Sequence, residues 1–168
     1  MINWQYFPKC DAIPQHLFDL VNIFGKHCDE VDSKIKKLTS NNVLLALKQD
    51  LLEARFEVEK GKKLEDKIKV PVLFGRNGKP EKSFQVDAFH QETGTVLEVE
   101  AGRAVANYQF LKDLFEACMM HNTNYLAIGV RNTWLKSPDF EKVITYFDTL
   151  YASGRLTLPL KGVLVIGY

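Results

Sequence analysis

The fold is decided by residues 83–130, which read SFQVDAFHQETGTVLEVEAGRAVANYQFLKDLFEACMMHNTNYLAIGV. Apolar and polar residues alternate on both sides of a turn at residues 91–94, which predicts two antiparallel strands joined as a hairpin. A helix is expected at residues 105–120, and the nearly unbroken apolar run at residues 125–130 predicts a strand inside a sheet. A hairpin that leads into a helix and a buried strand predicts a sheet with both antiparallel and parallel pairs.

The rest of the chain extends this prediction to an α/β (α+β) fold with a mixed central sheet flanked by helices. Asn77-Gly78 is a strong hairpin signal between two further strands. We expect a single domain over residues 1–168, with an N-terminal helical extension at residues 1–39 and a core at residues 40–168. Helices are also expected at residues 15–24, 43–54 and 137–152, strands at residues 55–59, 68–74, 83–90, 95–101, 124–130 and 158–168, and irregular structure at residues 1–13.

Composition and charge narrow the classes of protein. Lys and Arg number 22 and Asp and Glu number 21, so the net charge is +1, which is typical neither of a strongly basic nucleic-acid binder nor of an acidic disordered chain. The three cysteines lack any zinc-binding spacing, so a reduced, cytoplasmic setting is expected. The first residues lack a signal-peptide pattern, and no apolar run approaches the ~18 residues of a membrane helix, so no membrane association is expected.

Three acids interrupt the apolar strands of the opening stretch. Asp87 lies in the first strand of the hairpin, and Glu98 and Glu100 lie in the second. Because side chains alternate between the two faces of a strand, Glu98 and Glu100 share one face. Asp87 is expected beside Glu98 on that face if the hairpin has the required register.

This pattern permits two interpretations. An antiparallel sheet with one face in water would carry such acids on its polar face, in an α/β domain without a metal site. A strand that leads directly into a long helix and a buried strand is more typical of the centre of a sheet, where acids need a compensating partner. Clustered carboxylates repel one another, and a divalent cation removes the repulsion. Oxygen ligands of this kind select Mg²⁺ or Mn²⁺, which can activate water for phosphodiester hydrolysis.

The order αβββαβ, with Asp87 in one strand and Glu98-x-Glu100 in the next, resembles the PD-(D/E)xK nuclease superfamily, which has the restriction-endonuclease-like fold. The resemblance covers about residues 40–131. Val86 stands where the family name has proline, and Glu100 stands where the family usually has lysine. An E-x-E arrangement resembles restriction enzymes of the BamHI type, and the related BglII type has E-x-Q.

The resemblance implies a role for each acid. Asp87 and Glu98 would bind Mg²⁺ or Mn²⁺, and Glu100 would orient or deprotonate the attacking water. Lys112, on the helix after the second strand, is a candidate to replace the missing lysine. The family also has an acid on the helix before the sheet, and Glu53 fits that position.

The resemblance also implies DNA as the substrate and, for duplex cleavage, a homodimer with two active sites. Arg76, Lys79 and Lys82 lie at the predicted hairpin turn and are expected to follow the DNA backbone. Arg103 and Gln109 lie close enough in sequence to the acids to contact a phosphate. The alternative to a Mg²⁺-dependent endodeoxyribonuclease is a catalytically inactive domain that keeps the fold and acts as a DNA- or protein-binding subunit, which Glu100 in place of lysine and the neutral net charge favour.

Overall fold

A computed structural model describes residues 1–61 and 63–168. Within that part of the chain, no helix has both the length and the apolar character that a membrane span requires. The strands are β1 (Asn3–Phe7), β2 (Glu57–Val58), β3 (Ile68–Phe74), β4 (Pro80–Val86), β5 (Ala88–His90), β6 (Thr95–Glu100), β7 (Tyr125–Val130) and β8 (Gly162–Gly167), and the α-helices are α1 (Gln15–Lys26), α2 (Cys28–Val31), α3 (Ser40–Glu53), α4 (Gln109–Met119) and α5 (Asp139–Ser153).

The strands form one mixed sheet and one separate hairpin, so the predicted mixed α/β class is confirmed. The sheet has the order β1-β8-β7-β6-β5-β2, and β3 and β4 form the hairpin. β6, β7 and β8 are parallel to one another, whereas β5 is antiparallel to β6, β2 to β5 and β1 to β8. The two parallel connections run through α4 and α5, because a parallel pair needs a long crossover.

Each face of the sheet has its own apolar core. Successive residues of β6 contribute to different cores. Leu97 and Val99 belong to the core beneath α1 and α3, whereas Val96 belongs to the core beneath α4 and α5. Glu98 and Glu100 share the alternation of Val96, as the sequence pattern predicts. Both acids therefore lie on the α4 side of the sheet.

The structure corrects three predictions of secondary structure. Residues 1–39 contain the expected helix α1, but residues 1–13, predicted to be irregular, include β1, which pairs with β8 at the far edge of the sheet, where Trp4 lies opposite Ile166. The strand predicted at residues 83–90 is divided at Asp87, with β4 in the separate hairpin and β5 in the main sheet. Helix α4 begins four residues later than predicted, after Tyr108 at a positive φ of 53°.

The turn between β5 and β6 depends on a glycine. Gly94 has φ = 66°, and its carbonyl accepts hydrogen bonds from the N–H groups of Asn124 at 2.7 Å and Tyr125 at 3.0 Å. A Cβ at this position would lie 2.2 Å from the carbonyl oxygen of Asn122. Only glycine satisfies both the backbone conformation and the close approach of the chain before β7.

Replacing Gly94 by alanine should destabilise the protein by ~2 kcal/mol or more, because it adds both left-handed strain and a backbone clash. The matched control is Gly25→Ala in α1, where an added Cβ meets nothing within 4 Å. That control should instead stabilise the helix by ~0.5–1 kcal/mol. Urea unfolding of the two variants checks both signs, and equal effects would show that the turn does not constrain the β5–β6 hairpin.

Candidate active site: a cluster of carboxylates on the central sheet

Hydrogen bonding between strands places three acids in one row across the sheet. Ala88 of β5 lies opposite Leu97 of β6, so one step along the same antiparallel register brings Asp87 opposite Glu98. The N–H of Glu59 donates to the carbonyl of Asp87 at 3.0 Å, which continues the row beyond β2. Directly opposed residues of neighbouring strands lie close together. The expected pairing of Asp87 with Glu98 is therefore present.

Asp87 lies at the break between β4 and β5 and is held by a backbone contact. Its Oδ2 accepts a hydrogen bond from the N–H of Val99 at 2.9 Å. Asp87, Glu98 and Glu100 are all partly buried. A carboxylate fixed to the neighbouring strand cannot turn freely away from the other acids.

Helix α4 adds a further acid, which the sequence interpretation did not include. Asp113 is only 5% exposed and lies on the buried face of the helix with Phe110, Leu114 and Ala117. Within the described residues its Oδ2 has no hydrogen-bond partner. Asp113 follows Phe110 by three residues, so the two share one helical face, and this spacing was the feature of the sequence that could have predicted its burial.

Burial and like charge together raise the pKa values of the two paired acids. Burial raises the pKa of Asp87 to about 6, and the charge of Glu59 adds to this, whereas the N–H of Val99 opposes it. Burial is also the main reason why the pKa of Glu98 lies well above its usual range, and the charges of Asp87 and Asp113 raise it further. The pair therefore releases its protons at higher pH than ordinary carboxyl groups do, and a bound cation would favour its ionised form.

The other two acids show the same effect. Burial, followed by the charge of Asp87, raises the pKa of Glu100 to about 7, although Arg103 and Lys112 oppose the shift. Burial, followed by the charge of Glu100, raises the pKa of Asp113 to about 8. The four carboxyl groups thus form a cluster that carries too little positive charge of its own.

Lys112 lies close to the cluster but also forms an ion pair with Glu116. Its Nζ lies 3.2 Å from Oε2 of Glu116 and 3.9 Å from Oδ1 of Asp113, and its side chain is 58% exposed. Its charge lowers the pKa values of all four acids without reversing any of the shifts. Lys112 therefore lies at the rim of the cluster, and its role in place of the missing lysine stays a prediction.

Glu53 does not join the cluster. It is exposed at the end of α3 and accepts a hydrogen bond from Nε2 of Gln49 at 2.9 Å. The acid that precedes these strands in the chain and lies beside Asp87 is instead Glu59, which directly follows β2. Its side chain is 7% exposed and forms an ion pair with Lys67. The sequence predicted this acid on helix α3. In the structure, the residue just after β2 is the one that lies in line with Asp87 and Glu98.

The basic residues proposed to contact DNA occupy two places. Arg76, Lys79 and Lys82 are exposed on the β3–β4 hairpin. Arg103 and Gln109 line a cavity that also includes Glu100. Only the second group therefore adjoins the carboxylate cluster directly.

No three His, Cys, Asp or Glu side chains in residues 1–61 and 63–168 converge as a ready set of metal ligands. Mg²⁺ commonly binds to one or two protein carboxylates and keeps several waters, so the Asp87–Glu98 pair alone would suffice for such an ion. The donors of this pair are hard oxygen ligands, which fit Mg²⁺ or Mn²⁺.

Comparison of the chain with protein-family models, with curated proteins and with solved structures gave no significant match.

Asp113→Asn should make stability less dependent on pH. The pKa of the Asp113 carboxyl is raised to about 8 in the folded state. The free energy of unfolding is therefore highest below the unfolded pKa near 4, and this contribution is lost as the pH rises through about 8. Asparagine does not ionise, so at pH 8.5 the variant should exceed the parent by ~1.4 kcal/mol or more, the free energy of one pKa unit.

The measurement is urea unfolding of both proteins at pH 5 and pH 8.5. Asp11→Asn, at an exposed position, is the matched control and should leave the difference between the two pH values unchanged. A loss of stability in Asp113→Asn that is equal at both pH values would contradict a buried, uncompensated charge at this position.

Proposed function

We propose that the protein is a Mg²⁺-dependent endodeoxyribonuclease that hydrolyses phosphodiester bonds of DNA. The observation that carries the proposal is the pairing of Asp87 with Glu98 across the β5–β6 hairpin, with Glu100 and Asp113 beside them. Acids grouped in this way on a central strand cost folding free energy. Clusters with such shifted pKa values are found most often at functional sites.

The order of elements around the cluster also supports the proposal. Apart from the β3–β4 hairpin, the chain order here is helix α3, strands β2, β5 and β6, helix α4 and strand β7. The four strands are neighbours in the sheet. We take this order as the αβββαβ core of the proposed restriction-endonuclease-like fold, with the β3–β4 hairpin inserted between its first two strands. Asp87 directly precedes the second strand of that core, and Glu98 and Glu100 lie in the third.

Each side chain has a separate part in the proposed reaction. Asp87 and Glu98 would hold the divalent cation, which when bound supplies positive charge to a phosphodiester transition state and lowers the pKa of water. Glu100 would orient and deprotonate the attacking water, and its pKa of about 7 suits a base that works near neutral pH. Lys112 would place positive charge at the rim.

The proposed substrate is DNA, and the proposed assembly for duplex cleavage is a homodimer. The β3–β4 hairpin presents Arg76, Lys79 and Lys82 to solvent, and cations of this kind bind phosphates irrespective of sequence. Two cuts in a duplex require two active sites, which a symmetric dimer supplies.

Plasmid cleavage in Mg²⁺ or Mn²⁺ tests the function directly. Asp87→Ala and Glu98→Ala should abolish cleavage, and Glu100→Gln should lower the rate by ~10²–10⁴-fold, because it removes a general base. Glu53→Gln is the matched control on an exposed acid outside the cluster and should retain the rate of the parent.

If supercoiled plasmid and single-stranded DNA both stay intact with either ion over a range of salt concentrations, the nuclease proposal fails. A protein that then still binds DNA or a protein partner would instead be the catalytically inactive domain of the same fold. Cleavage that persists in Asp87→Ala and Glu98→Ala would show that the reaction occurs elsewhere or comes from a contaminant.

Cleavage should also depend on pH in a defined direction. Asp87 and Glu100 must lose their protons to act as ligand and base, and their pKa values are raised to about 6 and about 7. The rate should therefore rise between pH 5.5 and pH 8 and then level off. A rate that is constant or falls over this range, measured at Mn²⁺ concentrations well below saturation, would contradict the assigned roles.

A further inference from the structure

Arg131 is a buried cation that lacks a full set of partners. It follows β7 directly, is 3% exposed, and stacks on Trp134 with its guanidinium carbon 4.1 Å from the ring centroid. Its Nη2 donates to the carbonyl of Leu38, and the guanidinium lies close enough to the Tyr168 hydroxyl to oppose the rise that burial causes in the pKa of that group. Within the described residues, Nε and Nη1 have no hydrogen-bond acceptor that meets normal geometry. Burying a charge with two unused donors is costly, which points to an acceptor supplied by a ligand.

Arg131 lines a cavity of about 460 Å³ that also includes Glu100 of the carboxylate cluster. Lys37 and Arg103 also line this cavity, so that three cations face one carboxylate, that of Glu100. Lys37 and Arg103 are exposed, and within the described residues neither forms an ion pair with an acid. The cavity therefore carries net positive charge beside a cluster of net negative charge.

The first turn of α3 adds to the positive potential. Thr39, the N-cap residue of this 14-residue helix, and Ser40, its first residue, both line the cavity. No acidic residue occupies the first turn. The N–H groups at a helix start favour an anion, and here they act together with the unpaired donors of Arg131.

We infer that the cavity formed by Lys37, Ser40, Arg103 and Arg131 binds a phosphate group of a nucleic-acid strand. The inference rests on the proposed function, because the cavity shares Glu100 with the candidate active site and so lies where a phosphate next to the one being cleaved would pass. Arginine suits this ligand, since its planar set of N–H donors matches phosphate oxygens in pairs.

The first experiment uses inorganic phosphate and the metal-free protein, so that it does not depend on catalysis. Trp134 lies in the cavity, and Trp4→Phe removes the other tryptophan. Phosphate at constant ionic strength should change the Trp134 fluorescence with saturation, whereas chloride and acetate should not. No saturable response to phosphate, or an equal response to acetate, would overturn the inference.

Charge removal at the cavity tests which residues bind the ligand. Arg103→Gln and Lys37→Gln should each weaken phosphate binding by about tenfold, because each removes a charged donor. Arg155→Gln, at an exposed position outside the cavity lining, is the matched control and should bind as the parent does. These three sites are exposed, so the variants should fold, which circular dichroism checks; unchanged affinity in Arg103→Gln and Lys37→Gln would overturn the site.

A DNA titration then distinguishes the source of the phosphate. Arg103→Gln should weaken binding of a short oligonucleotide and reduce the slope of log K against log salt by about 0.7–0.9, the value for one lost phosphate contact. If a 5′-phosphate on the oligonucleotide tightens binding to the parent but not to the variant, the ligand is a strand end. If the 5′-phosphate has no effect while Arg103→Gln weakens binding, the ligand is an internal phosphate.

The two proposals fail in different ways. Phosphate binding without DNA cleavage would support the cavity and contradict the nuclease. Cleavage by a protein that binds neither inorganic phosphate nor DNA through Arg103 would support the nuclease and overturn the cavity. DNA binding that Arg103→Gln leaves unchanged, in a protein that binds inorganic phosphate, would overturn the nucleic-acid assignment alone.

Discussion

Repulsion among buried carboxylates is the constraint on which the site depends. Asp87 and Glu98 face each other across two strands, and α4 brings Asp113 against the same face of the sheet. Lys112 lowers the pKa values of these acids but is exposed and shared with Glu116. The fold holds the acids together through strand register and helix packing, so their unfavourable charge is a property of the architecture that a bound cation would relieve.

The surface beside this cluster has the opposite charge. Glu100 ends β6, and Arg131 follows the neighbouring parallel strand β7, so both lie at the carboxyl edge of the sheet. Ligands of open α/β sheets commonly bind at this edge. An anionic strand that placed one phosphate at a cation bound by Asp87 and Glu98, as proposed, and the next at Arg131 would have a counter-charge at both positions.

Much of this arrangement could be predicted from the sequence because it depends on short-range pattern. Strand alternation placed Glu98 and Glu100 on one face, and the turn at residues 91–94 brought Asp87 opposite Glu98. Asp113 was missed because α4 buries Phe110, Leu114 and Ala117, whereas the sequence interpretation included Tyr108 and Phe115, which are 53% and 66% exposed. Strand β1 and the surroundings of Arg131 were not predicted because both depend on contacts between distant residues, such as the pairing with β8 and the contact with Leu38.

The most direct measurement is the anomalous scattering of a crystal of the protein soaked in Mn²⁺ at pH 8. We expect a peak within ligand distance of the carboxylates of Asp87 and Glu98, with water completing the coordination, and no such peak in crystals of Asp87→Ala. An ordered, accessible cluster that shows no Mn²⁺ peak at saturating concentration, or one in which only Asp113 is a ligand, would contradict a metal site at this pair.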